Sequence, residues 1–411
     1  MARNVLNVGY PKTLMLALLI IATLFCGPYV EAHAEGPTVV QEFTFASMGS
    51  GAEFITRGHN DTFLVGGGAY PVMLVDLKGH QLWQHTSQSD PDMLAHLYDG
   101  VEMPDGGFLL CGEEITHPRL RRPGVAPQHR TLLLQLSADG HEISHRHVSD
   151  DPQTENIINS IQKITRWGTG FAAVGVARRA RPNPQNVIPA PPPEEFVVVV
   201  KLDRAGHVEW SHELPTDLQA MQFVTKPLVT ADGSLIVGGL NNFPRKTYFV
   251  TISPSGTPLS DATFDQFAQI VSASKPSNQL LLAFLDEQLV PRQITALTTQ
   301  YKVLSQFELP DSRITFHRML QAAGGGLVLF GKNEDGARPP GVAYYPVGGG
   351  TVNEMNLPQH DYIMYGFVDA APTSNPRLFV AVHNAISIGM QPGTLKPQFS
   401  AVIVSLIRIP D

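Results

Sequence analysis

Apolar residues along this chain come in runs of four or five, opened by a turn of Asp or Gly and closed by a small residue, usually Gly. Asp105-Gly106-Gly107-Phe108-Leu109-Leu110-Cys111-Gly112 shows the unit, and Asp232-Gly233-Ser234-Leu235-Ile236-Val237-Gly238 repeats it. Residues 61–66, 170–175 and 326–331 are further copies, with weaker ones at 278–284 and 377–382. Short apolar runs bounded by turn residues predict β-strands. Each run is followed by a second strand-like run, a tight turn and a third run, as in Met73 to Leu77, Lys78-Gly79-His80 and Gln81-Leu82-Trp83. A glycine at the apex supplies the positive φ of a hairpin turn, so the units are antiparallel hairpins in series.

The closing small residues fall at 66, 112, 175, 238, 283, 331 and 382, separated by 46, 63, 63, 45, 48 and 51 positions. Such periods match propeller blades of about 40 to 50 residues, two of them with enlarged loops. The expectation is an all-β, seven-bladed β-propeller with four-stranded antiparallel blades. The last repeat leaves no room for a full fourth strand, whereas Thr38 to Thr44 reads as one, so an N-terminal strand is expected to close the last blade and leave no free edge.

Composition agrees with many turns and few helices: 36 Gly and 33 Pro make about 17% of the chain, against roughly 12% in ordinary proteins. Lys+Arg 29 against Asp+Glu 37 gives a net charge of −8, which argues against a general nucleic-acid binder. Leu14 to Phe25 is apolar except for Thr23, is preceded by Arg3 and Lys12, and is too short to span a membrane. With Ala32-His33-Ala34 behind it, it reads as a signal peptide cleaved after Ala34. The expected division is therefore a signal peptide at 1–34 and a single propeller domain at 35–411. A periplasmic or secreted monomer with no transmembrane segment follows. Cys26 leaves with the signal, and Cys111, inside an apolar run, is expected to be a small core residue rather than a disulfide partner.

The segments Val75 to Trp83, Lys201 to Trp210 and Asp232 to Leu259 resemble PQQ-like propeller repeats and the related short delta-60 type. The resemblance spans most of the mature chain in degenerate form and implies the propeller fold. In quinoprotein dehydrogenases of that superfamily a repeat tryptophan recurs in nearly every blade. Here only Trp83 and Trp210 hold that position, so no cofactor is implied.

Candidate chemistry concentrates in two long connections. Glu113 to Arg130 carries Arg119, Arg121, Arg122 and Arg130, and Ala177 to Glu195 carries Arg178, Arg179 and Arg181. Both would lie on the same face of neighbouring blades. Guanidinium groups make bidentate contacts with carboxylates, so this rim suits a protein partner with an acidic surface. The bland alternative pairs these arginines with Asp90, Asp92, Asp150, Asp151 and Glu155. His141, His145 and His147, at i, i+4 and i+6 on a strand, are weak zinc or copper candidates, and a solvated histidine face is the simpler reading. Glu113-Glu114 and Glu194-Glu195 are placed in loops, where general acid work is hard to hold in register. No Gly-x-Ser-x-Gly elbow supplies a nucleophile.

The function expected from these features is an exported, non-catalytic binder of a protein partner, in one version an inhibitor or immunity protein against a periplasm-directed toxin enzyme. The alternatives are a degenerate quinoprotein or glycan-acting propeller enzyme, and an envelope assembly scaffold.

Overall fold

Seven antiparallel sheets stand in a ring, each four strands deep, with the inner strand of one split into Met221–Val224 and Leu228–Val229, making the seven-bladed β-propeller that the repeat spacing predicts. The computed structural model describes residues 36–46, 51–68, 71–86, 92–116, 129–148, 158–179, 194–214, 221–242, 245–274, 279–322, 324–333, 340–347, 351–357, 363–388 and 397–410. The expected signal peptide and its cleavage after Ala34 lie outside the described residues. Among those described, no helix is long and apolar enough to cross a membrane.

Blades 1 to 6 are each laid down in chain order from the ring's inner wall outward, as inner, second, third and outer strands. Blade 1 runs from Phe54 to His85, blade 4 from Met221 to Phe264, blade 5 from Phe267 to Glu308 and blade 6 from Ile314 to Asn356. Blade 2 comprises Met93–Glu102, Phe108–Thr116, His129–Leu136 and Glu142–Arg146; blade 3 comprises Ile158–Trp167, Gly170–Arg179, Glu194–Leu202 and Val208–Glu213. Blade 7 is composite: Ile363–Pro372, Leu378–Ile388 and Pro397–Arg408 are joined by Thr38–Ala46, which pairs antiparallel with Pro397–Arg408 as the outer strand. The closure expected from sequence is therefore present.

The continuous apolar runs follow from two-sided burial. In blade 2, Leu110, Leu132 and Leu134 pack with Phe54, Leu64 and Trp83 of blade 1, while Leu109, Cys111 and Leu133 pack with Phe171 and Val198 of blade 3. Strands buried on both faces lose the polar alternation of half-exposed ones, and each fully buried Leu contributes about 1.5–3 kcal/mol. Cys111 is fully buried, and burial pushes its thiol well above the ordinary cysteine range, as suits a core residue.

Neighbouring blades are also clamped at their turns. Gly79, Gly140, Gly206 and Gly256, at φ 78°, 84°, 79° and 92°, take the left-handed position of the third-to-outer hairpins. Each also lies under a side chain of the preceding blade's outer strand. A Cβ on Gly140 would meet Trp83, one on Gly256 Trp210, one on Gly206 Arg146, and one on Gly79 the Phe43 ring of the closing strand. Trp83 Nε1 donates to the Ala138 carbonyl at 2.9 Å, and Arg146 Nη2 donates to the Ala205 carbonyl at 2.7 Å. The repeat glycine and the outer-strand Trp, Phe or Arg are thus two halves of one inter-blade contact.

Candidate functional site

The closing glycines of the repeat have a second use at the central channel. In blades 2, 3 and 6, Gly112, Gly175 and Gly331 are the last second-strand residues paired before a β-bulge in the inner strand. A Cβ there would stand 1.9, 2.0 and 1.7 Å from the carbonyl oxygens of His96, Ser160 and Thr315. The glycine lets that carbonyl lean in, and the extra residue re-aims the side chains that follow. Blades 5 and 7 bulge at the same place, but Leu282 and His383 hold the ladder position, one residue from the Ala283 and Val382 that the repeat spacing aligns there.

The residues just past the bulges put charge into the channel. Lys163, Arg318 and Asp369 line a cavity of about 400 Å³ with Glu53, Lys226, His317 and the rings of Phe267 and Phe316. Asp99 is 1% exposed and accepts from the Ile164 amide at 3.0 Å and from Lys226 Nζ at 2.9 Å. Arg318 lies 3.6 Å from Asp369. His317 Nε2–H donates to the Val368 carbonyl at 2.8 Å, and desolvation by the surrounding protein lowers its pKa. These residues were missed at the sequence level, although Asp99, Lys163, Arg318 and Asp369, each a charge within an inner strand, were the available signal.

The inner strands start, and the second strands end, at the face that carries the long connections. These leave blade 2 between Thr116 and His129 and blade 3 between Arg179 and Glu194. Both therefore project from one face of adjacent blades. Arg119, Arg121, Arg122 and Arg181 lie outside the described residues. Arg178 and Arg179 end the second strand of blade 3, across the ladder from Glu195 and Glu194. Arg130 is exposed, opposite Glu114 in the ladder of blade 2.

Three expectations need correction here. Glu113 and Glu114 are not loop residues: they sit on the second strand of blade 2, 7% and 2% exposed. Glu194 and Glu195 likewise begin a strand. Nor do the three histidines form a set. Ile143 is an extra residue opposite the Gln135/Leu136 step, and this bulge breaks the two-residue alternation between His141 and His145. His141 stays in the turn, mostly exposed and 3.5 Å from Asp139. The string His141-Glu142-Ile143-Ser144-His145 is a His-Glu-x-x-His sequence, which binds zinc when a helix puts both imidazoles on one face. On a turn and strand it does not.

An acid does join His145 and His147, and it comes from another strand. Glu114 Oε1 lies 3.0 Å from His145 Nε2, and Glu114 Oε2 lies 3.5 Å from His147 Nε2. Alternation explains the meeting: Leu110, Gly112 and Glu114 share one face of the second strand, and the ladder carries that face through Leu134 to His145. Burial alone would raise the Glu114 pKa, but the histidines and Arg130 outweigh it and hold the carboxyl below its ordinary value. On the opposite face Glu113 is depressed in the same way, because His129 at 3.0 Å and the Tyr98 hydroxyl at 2.5 Å overcome its burial.

No family model matches the sequence, and no curated protein matches it significantly. Solved structures do resemble the fold. A chain of the mitotic checkpoint complex is 10% identical, with 91% of this chain and 95% of that one covered at a TM-score of 0.55. BBS1N, solved in complex with ARL6DN and soaked with mercury, is 8% identical, covering 91% and 97% at a TM-score of 0.50. A puromycin-hydrolysing peptidase of Mycobacterium tuberculosis is 12% identical, covering 85% of this chain and 53% of that one at 0.49. The first two similarities are of fold alone, and the PQQ-like resemblance stays at the level of fold.

Proposed function

We propose that this propeller is an exported, non-catalytic binding module that docks an acidic protein surface on the face bearing the two long connections. The observation that carries the reading is their placement: the connections that hold Arg119, Arg121, Arg122 and Arg181 leave adjacent blades on the same side. Long loops on a rigid scaffold are where recognition concentrates. Pro182, Pro184, Pro189 and Pro191-Pro192-Pro193 restrict the blade 3 connection and reduce the entropy lost on docking. The checkpoint chain and BBS1N come from structures described as complexes. Their identity to this chain is too low to transfer a partner, so the reading rests on this chain's own loops. In its narrower form the partner is a toxin enzyme, which the propeller inhibits by covering its active site.

The test is affinity capture with the purified chain, followed by mass spectrometry. Replacing Arg119, Arg121, Arg122, Arg178, Arg179 and Arg181 by Glu should abolish recovery of the partner, and raised salt should weaken it. Undiminished capture by the six-fold variant refutes the site.

A further inference from the structure

The geometry points to a transition-metal site on blade 2, built from Glu114, His145 and His147, that takes a divalent first-row cation with Zn²⁺ as the best match. One ligand atom from each residue can be chosen so that all lie within 4.8 Å of one another. Ligands on a tetrahedral ion at about 2.0–2.1 Å stand about 3.3 Å apart. The observed separations, 3.0 Å from Glu114 Oε1 to His145 Nε2 and 3.5 Å from Glu114 Oε2 to His147 Nε2, are close to that edge, each through its own carboxylate oxygen. Since the chosen atoms all lie within 4.8 Å of one another, closing by roughly 1.5 Å or less brings them to that edge around an ion.

Three further observations separate this cluster from an ordinary acid–histidine contact. His147 Nδ1–H donates to the Thr131 carbonyl at 2.9 Å, which fixes the tautomer and leaves the Nε2 lone pair directed at Glu114. A backbone carbonyl in this role orients metal-binding histidines generally. Glu114 is 2% exposed, and its Oε1 faces the His145 ring nitrogen at 3.0 Å without an aligned hydrogen bond. A buried carboxylate oxygen without a donor is costly unless a cation satisfies it. Finally, the His145 and His147 rings are edge-on, 74° apart with centroids 5.6 Å from each other, and their side chains are 21% and 18% exposed. The nitrogens therefore converge from different directions, and solvent gives an ion a way in. Two imidazoles and a carboxylate suit zinc, with a fourth position left for water or a donor from outside.

The experiment titrates EDTA-stripped full-length protein with Zn²⁺ by calorimetry and with Co²⁺ by visible absorption. One ion per chain is expected, with a tetrahedral Co²⁺ spectrum. Loss of an outer hydrogen bond to a ligand already weakens metal sites about 10–100-fold, so Glu114→Gln and His147→Gln should each weaken binding at least ~10-fold. His80→Ala and His207→Ala, in exposed His–Asp pairs elsewhere, should leave it unchanged. A second readout needs no variant: Zn²⁺ should protect His145 and His147, but not His80, from diethylpyrocarbonate. Failure of the wild-type chain to bind one ion, binding unaltered by both ligand substitutions, or equal labelling with and without Zn²⁺ overturns the site.

Discussion

Substituting Ala for Gly331 adds one methyl group at the tightest of the bulge contacts. The new Cβ would stand 1.7 Å from the Thr315 carbonyl oxygen, where real Cβ contacts stay above 3.0 Å, so that carbonyl must retreat by roughly 1.3 Å, the difference between the two. The Thr315 carbonyl is backbone within the ladder, at the pair with Lys332 just before Phe316 pairs with Gly331 and His317 bulges. No flexible side chain can give way. Overpacking strain costs about 1–3 kcal/mol, and disturbing two ladder hydrogen bonds adds about 1 kcal/mol each. A loss of about 3–5 kcal/mol is a large share of the roughly 5–15 kcal/mol that holds a domain together. In a domain of this size it should lower Tm by roughly 4–6 °C. Urea and thermal unfolding followed by circular dichroism measure it directly. Gly324→Ala is the matched control, since nothing lies within 4 Å of a Cβ there, and it should stay within about 0.5 kcal/mol of wild type. Gly112→Ala and Gly175→Ala should behave like Gly331→Ala. A Gly331→Ala protein within about 1 kcal/mol of wild type would refute the bulge argument.

Lys226→Met strands the buried Asp99 carboxylate and should cost about 3–5 kcal/mol in urea unfolding; adding Asp99→Asn should recover part of it, and no recovery would mean the pair is not the cause. Leu289 sits at φ 63° and is 41% exposed, so Leu289→Asn, which tolerates the left-handed region, should stabilise by up to about 1 kcal/mol in the same assay. Burial alone would raise the Asp286 pKa, but the amides of Val290 and Gln288 and the Arg292 guanidinium hold it below 3.8. Its contribution is therefore present above the unfolded value and is lost as pH falls through the depressed folded value. The Tm gap between wild type and Asp286→Asn should accordingly shrink from about pH 5 downward, and a gap independent of pH would contradict this. Cys111 should resist Ellman's reagent in the native state and react once in denaturant.

The fold was legible because a propeller repeats its solution. The run Phe108 to Cys111 is apolar throughout since neighbouring blades cover both faces, and Gly140 recurs in kind because a hairpin needs the left-handed residue that Trp83 can cover. The candidate site was legible only in part. The histidines 145 and 147 stood out by type, but the bulge at Ile143 removed His141 from their face, and a bulge depends on ladder register rather than on the residues nearby. Glu114 looked like a loop residue because the repeat unit was read as closing at Gly112, whereas the strand runs on to Thr116.

By itself the sequence determined the all-β architecture, the seven blades and the closing strand, since hairpin turns and two-sided burial leave local, periodic marks. Tertiary structure alone decided which side chains meet. Glu114 joins His145 and His147 across three strands, and Asp99 of blade 2 joins Lys226 of blade 4 across the channel. Such pairings are fixed by strand register and ring closure, which sum over the whole chain and leave no periodic mark in any one segment.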